Sequence, residues 1–385
     1  MQRREFIKTT AASAAVAMTA GVTAACATQV PGGVIVPFAA PTVNAPTVVG
    51  QAQPTFDWQM AVNFPVTLDT LFGGAQSFAE RVSALTKGNL KITPHPPGQV
   101  APGTPVLDAV SQGIVPIGYT SSFYYISKSP VLGFGTAMPF GLTAQQQNAW
   151  LYQGGGLAML QEYYRNKFGV IQFPAGNTGV QMGGWFRKEI QTVADLQGLK
   201  MRIPGLGGQV MTKLGVTTTT TAGDQLLQAL QSGELDAAEW TGPYDDEKLG
   251  LYQAASYYYY PAWWEPGSTV EIEVNLKQWN ELPAEYQAAV QSAAAEANIR
   301  TLSVYEARNA MALPKLVADG VQLRPFSKEI LNAAQTATNQ LFEEFSAKDS
   351  DFKTMLREWT KFRDAVRAWN KVNELSYTSF VYGVE

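Results

Sequence analysis

The chain has 385 residues, of which 46% are apolar and 16% charged, and its 28 basic and 32 acidic residues give a formal net charge of −4. This composition supplies an ample core, is too polar for a protein with many membrane spans, and at roughly 150 residues per domain suggests two domains. The balanced charge excludes a strongly basic nucleic-acid-binding surface, and a single histidine (His95) and a single cysteine (Cys26) exclude an intrachain disulfide, a Cys/His metal cluster and a His-based catalytic triad or dyad.

Residues 1–26 are predicted to form an export signal. Arg3 and Arg4 precede Phe6 as in the twin-arginine consensus, and residues 9–25 contain no charged side chain. That apolar stretch is too weakly hydrophobic for a stable membrane span. The signal carries a net charge of +2, so the rest of the chain is near −6. An acidic protein in the periplasm needs a buried arginine or a metal ion to bind an anion.

Cys26 is a candidate lipidation site at the end of the signal. Thr23–Cys26 resembles a lipobox, whereas Ala25–Ala27 also fits ordinary signal peptidase, so lipid-anchored and soluble forms both stand. Residues 27–56 contain five prolines and no charge, which predicts an extended, disordered linker. A linker of this kind suits a tether between a lipidated Cys26 and a folded domain, and it favours the lipid anchor.

Strand and helix patterns alternate along the rest of the chain. Strands predicted at 56–63, 90–92 and 114–119 enclose helices predicted at 71–86 and 106–112. The same patterns predict further strands at 170–173, 200–204, 235–240 and 270–275, and helices at 145–168, 209–214, 223–232 and after Pro283. This alternation indicates an α/β fold with a mostly parallel sheet.

Three short motifs receive structural interpretations. The glycines of Gly205–Gly208 lack the spacing of a phosphate-binding loop and predict a tight turn. His95 lies among prolines and is expected in a surface loop. The acidic run from Asp245 to Glu247 lacks the alternation of a calcium-binding loop, so we expect a solvated helix start.

The C-terminal segment carries an apolar seam at steps of three and four, with charged residues between. The seam consists of Phe352, Met355, Leu356, Trp359, Phe362, Val366, Trp369 and Val372. Two interpretations stand: the helix lies on its own domain, or it packs against a helix of a second subunit.

Arg202 and Glu265 are candidates for ligand chemistry. Arg202 ends a predicted strand, and ligands of open α/β sheets bind outside the carboxyl ends of strands. A guanidinium there can hold a carboxylate through two parallel hydrogen bonds, although a solvated surface position is the alternative. Glu265 lies in the aromatic stretch Tyr257–Gly267. A carboxylate buried there must be protonated, paired or metal-bound, and a rim position is its alternative.

Several stretches taken together resemble the solute-binding proteins of tripartite ATP-independent periplasmic (TRAP) transporters. They are Asp195–Gly205, Leu226–Trp240 and Ala262–Glu265, and the resemblance extends from about Trp58 to the C-terminus. The branch that binds 2-oxo (α-keto) and 2-hydroxy monocarboxylates is similar at Tyr119–Tyr125, Met138–Leu142 and Gly242–Gly250.

The resemblance implies an α/β two-domain periplasmic binding protein, a clamshell that closes about a hinge, with long C-terminal helices. We expect one domain over 57–141 and 240–272 and the other over 142–239 and 273–325. The C-terminal helices are expected over 326–385, with a dimerisation helix that suits the apolar seam.

The resemblance also implies the binding residues. Arg202 matches the arginine that grips the ligand carboxylate. Gln181, Glu265 and the backbone carbonyl of Trp240 match the groups that hold a bridging metal ion, and Gln181 also faces the ligand. Hard oxygen ligands suit Na⁺, with Ca²⁺ as the alternative. Two aromatic residues match the pocket wall, namely Phe123 and Tyr124.

These features predict a receptor that delivers a small organic acid to membrane permease subunits and is not an enzyme. A periplasmic ligand sensor is one alternative. A metal-dependent enzyme acting on 2-oxo acids is another, although no basic residue stands beside Gln181, Arg202 and Glu265 at the spacing of a general base. A homodimer through the C-terminal helix is one of the two interpretations of the seam, and no nucleic-acid partner is expected.

Overall fold

The computed structural model of the protein describes residues 53–103 and 105–383. The predicted signal, Cys26 and most of the predicted linker lie outside these residues. Within the described part of the chain, every helix is too short or too polar to span a bilayer.

The described strands, numbered in chain order, are β1 (Phe56–Val62), β2 (Leu90–His95), β3 (Ile117–Thr120), β4 (Val170–Asn177), β5 (Gly184–Phe186), β6 (Lys200–Arg202), β7 (Thr217–Thr219), β8 (Ala237–Ala238), β9 (Tyr257–Tyr260), β10 (Thr269–Asn275) and β11 (Gln322–Pro325). The described α-helices are α1 (Leu71–Leu85), α2 (Val106–Ser111), α3 (Gly133–Thr136), α4 (Ala144–Tyr152), α5 (Gly156–Phe168), α6 (Gly205–Lys213), α7 (Leu226–Ser232), α8 (Pro243–Leu249), α9 (Leu276–Glu281), α10 (Ala284–Ala318), α11 (Lys328–Lys348), α12 (Ser350–Val372) and α13 (Glu374–Tyr382). Short 3₁₀ helices cover Ser122–Tyr125, Pro130–Leu132, Val193–Leu196, Gly223–Gln225 and Leu251–Gln253.

The strands form two sheets, and we call each sheet with the helices packed on it a lobe. The first sheet has the order β2-β1-β3-β10-β4, and the second has the order β11-β9-β5-β8-β6-β7. The helix α10 packs against β4 and α1 of the first lobe and also against α8. The predicted α/β fold with two domains is confirmed.

The prediction of mostly parallel sheets holds only in part. In the first sheet β1 is parallel to β2 and β3, but β10 is antiparallel to both β3 and β4. In the second sheet β5 is antiparallel to β8 and β9. Apolar periodicity predicts where a strand lies but does not predict whether it runs parallel or antiparallel to its neighbour. Here the direction is set by the chain's return from one lobe to the other.

The structure divides the chain between the lobes differently from the expected boundaries. Residues 170–177 were expected in the second domain, but they form β4 of the first sheet. Residues 257–260 were expected in the first domain, but they form β9 of the second sheet. The chain passes between the sheets at 178–183, at 261–268 and again through α9 and α10, which connect β10 to β11. Strand pairing and not sequence proximity decides where a strand belongs.

Local patterns predict most elements closely, with two differences. The glycines at 154–156 interrupt the predicted helix 145–168 and separate α4 from α5. The prediction of a tight turn at Gly205–Gly208 is wrong, because these residues form the first turn of α6. At Gly207 a Cβ atom would lie 2.7 Å from Trp264 Cβ, so the absence of a side chain lets the helix approach this ring. His95 ends β2, half-exposed, with Nε2 2.5 Å from Gln59 Oε1.

The C-terminal seam divides into two halves. Phe352, Met355 and Trp359 are buried in the core of their own chain. The rings of Phe352 and Trp359 lie 5.2 Å and 5.8 Å from the ring of Phe134. By contrast, Trp369 is 61% exposed. The first interpretation of the seam is therefore confirmed for its N-terminal half.

We predict that Phe352→Ala lowers the free energy of unfolding by about 3–5 kcal/mol, because it leaves a cavity among aromatic rings. The control Met311→Ala removes a side chain on α10 that is 70% exposed and is expected to change stability by less than about 0.5 kcal/mol. Urea unfolding followed by circular dichroism measures both. Equal effects would mean that α12 does not dock through Phe352.

Candidate functional site

Two of the segments that connect the sheets, 178–183 and 261–268, lie side by side. The amide of Thr178 donates to the carbonyl of Ser268 at 3.0 Å, and that of Gln181 donates to the carbonyl of Glu265 at 3.2 Å. The amide of Ala262 donates to the carbonyl of Gln181 at 3.0 Å. This antiparallel pairing places the side chains of Gln181 and Glu265 next to each other between the lobes.

A cavity lies at this point, with about 330 Å³ of empty space that includes the solvent at its mouth. All six residues predicted for the site contribute to it. The lining consists of Phe64, Leu71, Ser121, Phe123, Tyr124, Thr178, Gln181, Arg202, Glu239, Trp240, Thr241, Glu265, Ser268 and Val270. The structure therefore brings the predicted residues together, from both lobes and from both connecting segments.

Arg202 is held firmly at the end of β6. Its side chain is buried, with Nε donating to the carbonyl of Thr221 at 3.1 Å and Nη1 donating to the carbonyl of Glu239 at 2.8 Å. The indole ring of Trp240 lies over the guanidinium, 4.7 Å from Cζ to the ring centroid. The solvated alternative for Arg202 is excluded, and a fixed positive charge lines the cavity.

Glu239 is a site residue that the sequence analysis missed. Its side chain is buried and forms an ion pair with Arg202 through Oε1 and Nη1. Burial raises the pKa of Glu239 well above its usual range, Arg202 lowers it, and Glu265 raises it further. The available signal was its place at the end of β8, since the carboxyl ends of the parallel strands β6 and β8 meet at one sheet edge.

Glu265 is buried and not a rim residue. Burial raises the pKa of Glu265 to about 7, while Arg202 and hydrogen bonds from Ser268 and Gln181 lower it. Two carboxylates thus face one arginine across the cavity. Such a group ionises fully only when further positive charge is supplied.

Gln181 has an unpaired oxygen at the cavity. Its Nε2 donates to Thr178 Oγ1 at 3.0 Å, but its buried Oε1 has no hydrogen-bond partner. The described residues contain no group of three or more His, Cys, Asp and Glu side chains able to hold a metal ion. A cation here would depend on the Gln181 amide oxygen, the Glu265 carboxylate and a backbone carbonyl such as that of Trp240. This donor set fits Na⁺ or Ca²⁺.

Aromatic and aliphatic side chains form the remaining walls. The rings of Phe123 and Tyr124 lie 4.4 Å apart between centroids. Burial raises the pKa of Tyr124, whereas the charge of Arg202 lowers it. Phe64 and Val270 lie on the wall from the first lobe. The cavity therefore presents a charged side and an apolar side, as an acid with a short carbon chain requires.

The acidic run at the start of α8 is not solvated, contrary to the expectation. Asp245 and Asp246 are buried, and burial raises the pKa of Asp246 to about 7, against hydrogen bonds from Tyr258 and Trp185. The position of these aspartates at a helix start indicated that they would be solvated. Their hydrogen-bond donors instead come from distant segments, which the local sequence does not reveal.

Comparison with known proteins places this arrangement in a family. The model of the bacterial extracellular solute-binding proteins, family 7 (DctP), matches residues 63–349. The chain belongs to this family. A curated relative, the monocarboxylate 2-oxoacid-binding periplasmic protein of a Nostoc strain, is 56% identical over 327 residues, which are 85% of this chain and 89% of that protein.

Two solved TRAP solute-binding proteins share the fold of this protein. One, from Bordetella bronchiseptica, is 44% identical with a TM-score of 0.84 over 86% of this chain and 98% of its own, and was obtained as a dimer with calcium and picolinate in its active site. The other, from Pseudoalteromonas atlantica, is 35% identical with a TM-score of 0.80 over 84% and 99% of the chains, and holds sodium and pyruvate.

A pH effect follows from the burial of Glu265. Its pKa in the folded protein is about 7, above the ordinary 4.5, so the folded state holds the proton more tightly. Without cation or ligand, the free energy of unfolding should fall as pH rises from about 4.5 to about 7. Glu265→Gln should remove about 3 kcal/mol of that fall.

Urea unfolding at a series of pH values in the presence of a chelator measures this slope. The matched control is Glu285→Gln, whose side chain is exposed at the start of α10 and which should keep the wild-type profile. A wild-type slope in Glu265→Gln would mean that Glu265 is not the group that binds the proton.

Proposed function

We propose that this protein binds a small 2-oxo or 2-hydroxy monocarboxylate through Arg202 and a bridging cation and delivers it to the permease subunits of a TRAP transporter. The observation that supports this proposal is the cavity, which is lined by a buried, fixed Arg202, the unpaired Gln181 Oε1 and the Glu265 carboxylate. In this proposal Arg202 binds the ligand carboxylate. Gln181 contacts ligand and cation, and Phe123 and Tyr124 contact the carbon chain.

Charge balance supports the bridging cation. Arg202, Glu239 and Glu265 in their ionised forms sum to −1, so a monocarboxylate enters this buried site only with a compensating positive charge. A 2-oxo or 2-hydroxy acid offers two adjacent oxygens that can bind one cation. We propose Na⁺, with Ca²⁺ as the alternative, held by Gln181, Glu265 and the Trp240 carbonyl. The sodium and calcium of the two solved relatives support this assignment.

The proposed role is solute capture and not catalysis, as membership of a solute-binding family supports. The lobes would close on the ligand about the connecting segments 178–183 and 261–268. We place the protein in the periplasm after twin-arginine export, with Cys26 as a lipid anchor that keeps it near the permease.

The function is tested by calorimetric titration of the purified protein with pyruvate, longer 2-oxo acids, lactate and C4-dicarboxylates. Each acid is added in sodium, calcium or choline chloride. We expect binding of 2-oxo monocarboxylates that needs sodium or calcium. Arg202→Ala should weaken it about 100-fold or more, because it removes a buried charge partner. Arg202→Lys should restore it only in part, since it lacks the paired donors of arginine.

Arg202→Ala also leaves Glu239 unpaired, so the double variant with Glu239→Gln keeps the fold testable. Arg187→Ala, at an exposed position, is the matched control and should bind as wild type. Binding of dicarboxylates alone, or of 2-oxo acids without any cation, would contradict the proposed site.

We also propose a homodimer formed through the C-terminal helices. The second half of the seam and the next helix expose large apolar side chains that do not pack on their own lobes. They are Trp369 (61% exposed), Val372 (70%), Leu375 (55%), Tyr377 (68%), Phe380 (86%) and Tyr382 (77%). A second copy would bury this face, and the dimer of the Bordetella relative supports it.

Sedimentation velocity tests the dimer. We expect a dimer for wild type and a shift to monomer for the double variant Leu375→Asp/Phe380→Asp, because charges would be buried in an apolar contact. Lys361→Glu, an exposed change on α12, is the control and should remain dimeric. A monomeric wild type at micromolar concentration would overturn this proposal.

A further inference from the structure

We propose that α8 positions both walls of the ligand cavity through its successive aspartates, and that Asp245 with Thr70 forms a clasp that holds the lobes closed on the ligand. The clasp is defined here as Thr70 and Asp69 of the first lobe with Tyr244, Asp245 and Lys248 of α8. The inference rests on the proposed function and adds positioning residues that do not touch the ligand.

Asp246 fastens α8 to the second lobe. Its Oδ2 accepts from Trp185 Nε1 of β5 at 2.8 Å and from the Tyr258 hydroxyl of β9 at 2.7 Å. Its Oδ1 accepts from the backbone amides of Thr241 and Gly242, both at 3.2 Å. Thr241 lines the cavity, so this carboxylate fixes the cavity wall that leads into α8.

Asp245 reaches in the other direction, to the first lobe. The hydroxyl of Thr70 donates to Oδ1 at 2.7 Å and lies 2.9 Å from Oδ2, and the hydroxyl of Tyr305 on α10 donates to Oδ2 at 2.7 Å. Thr70 immediately precedes Leu71, which lines the cavity. Both Thr70 and Asp245 are buried, and a hydrogen bond to a buried charge is worth more than one between exposed groups.

A second set of contacts lies at the exposed rim. Asp69 accepts from Arg308 Nη1 at 2.7 Å and from the Tyr244 hydroxyl at 3.2 Å, and it pairs with Lys248. The side chain of Asp69 is 47% exposed. Ion pairs of this exposure contribute little, so the Thr70–Asp245 contact is the part of the clasp that matters for binding.

The arrangement couples the clasp to ligand capture. A residue next to Thr70 contacts the cavity from one lobe, and the residues that lead into α8 contact it from the other. Separation of the lobes would break the Thr70–Asp245 bonds and leave Asp245 with Tyr305 and water. The clasp therefore favours the closed form and slows release of the ligand without touching it.

Thr70→Val tests this inference, with Thr70→Ser as the matched control that keeps the hydroxyl. Stopped-flow binding of pyruvate in calcium chloride should show dissociation about tenfold faster in Thr70→Val, the loss of one bond to a buried charge. The association rate should stay within about threefold, since no cavity contact changes. Thr70→Ser should behave as wild type.

Hydrogen exchange of the ligand-free protein supplies a readout that needs no ligand. Thr70→Val should increase exchange of the amides in both 65–72 and 240–249, whereas Thr70→Ser should not. If Thr70→Val released pyruvate and exchanged these amides at the wild-type rates, the proposed clasp would be overturned. Absence of 2-oxo acid binding by the wild-type protein would instead overturn the proposed function, and the exchange result would still decide the clasp.

Discussion

The backbone pairing between residues 178–183 and 261–268 is the constraint on which both the fold and the site depend. The two segments are two of the three connections between the sheets, and their hydrogen bonds hold the lobes together along one line. At Gly184, with φ of +90°, a Cβ atom would lie 2.8 Å from the carbonyl oxygen of Ala238, so only glycine lets the chain enter the second sheet here. Gln181 and Glu265 lie on this line, in the segments that pass between the lobes.

Buried charge is handled in two different ways around this line. Asp245 and Asp246 have no basic partner, yet hydroxyl, indole and amide donors surround them. Glu239 and Glu265 instead share the single guanidinium of Arg202. The first arrangement is satisfied within the protein, which suits a structural role. The second is short of positive charge, and in the proposed function that shortage favours a cation together with an anion.

The sequence predicted the site better than it predicted the lobes. Arg202, Gln181 and Glu265 lie in short motifs that resemble those of a known family, and their expected roles come from that resemblance. All three residues line the cavity. Apolar periodicity likewise predicted the ends of α1 and β10 to within a residue or two of the observed ends. Lobe membership of β4 and β9 was missed because a strand's partner depends on contacts distant in sequence. Glu239 and Asp245 were missed for the same reason, since their burial is created by Arg202 and by Thr70 and Tyr305.

Neither lobe is a continuous stretch of chain, and this affects how the protein folds. In the first sheet, β3 ends at Thr120 and its neighbour β10 begins at Thr269, with β4 and the five strands β5–β9 of the second sheet in between. One edge of β3 therefore stays open until more than half of the chain beyond it has been synthesised. Open strand edges invite pairing with other chains, and contacts between such distant segments form slowly. The second sheet is also incomplete at that point, because its edge strand β11 follows β10 in the chain. The nascent chain therefore carries two unfinished sheets until most of it has been synthesised.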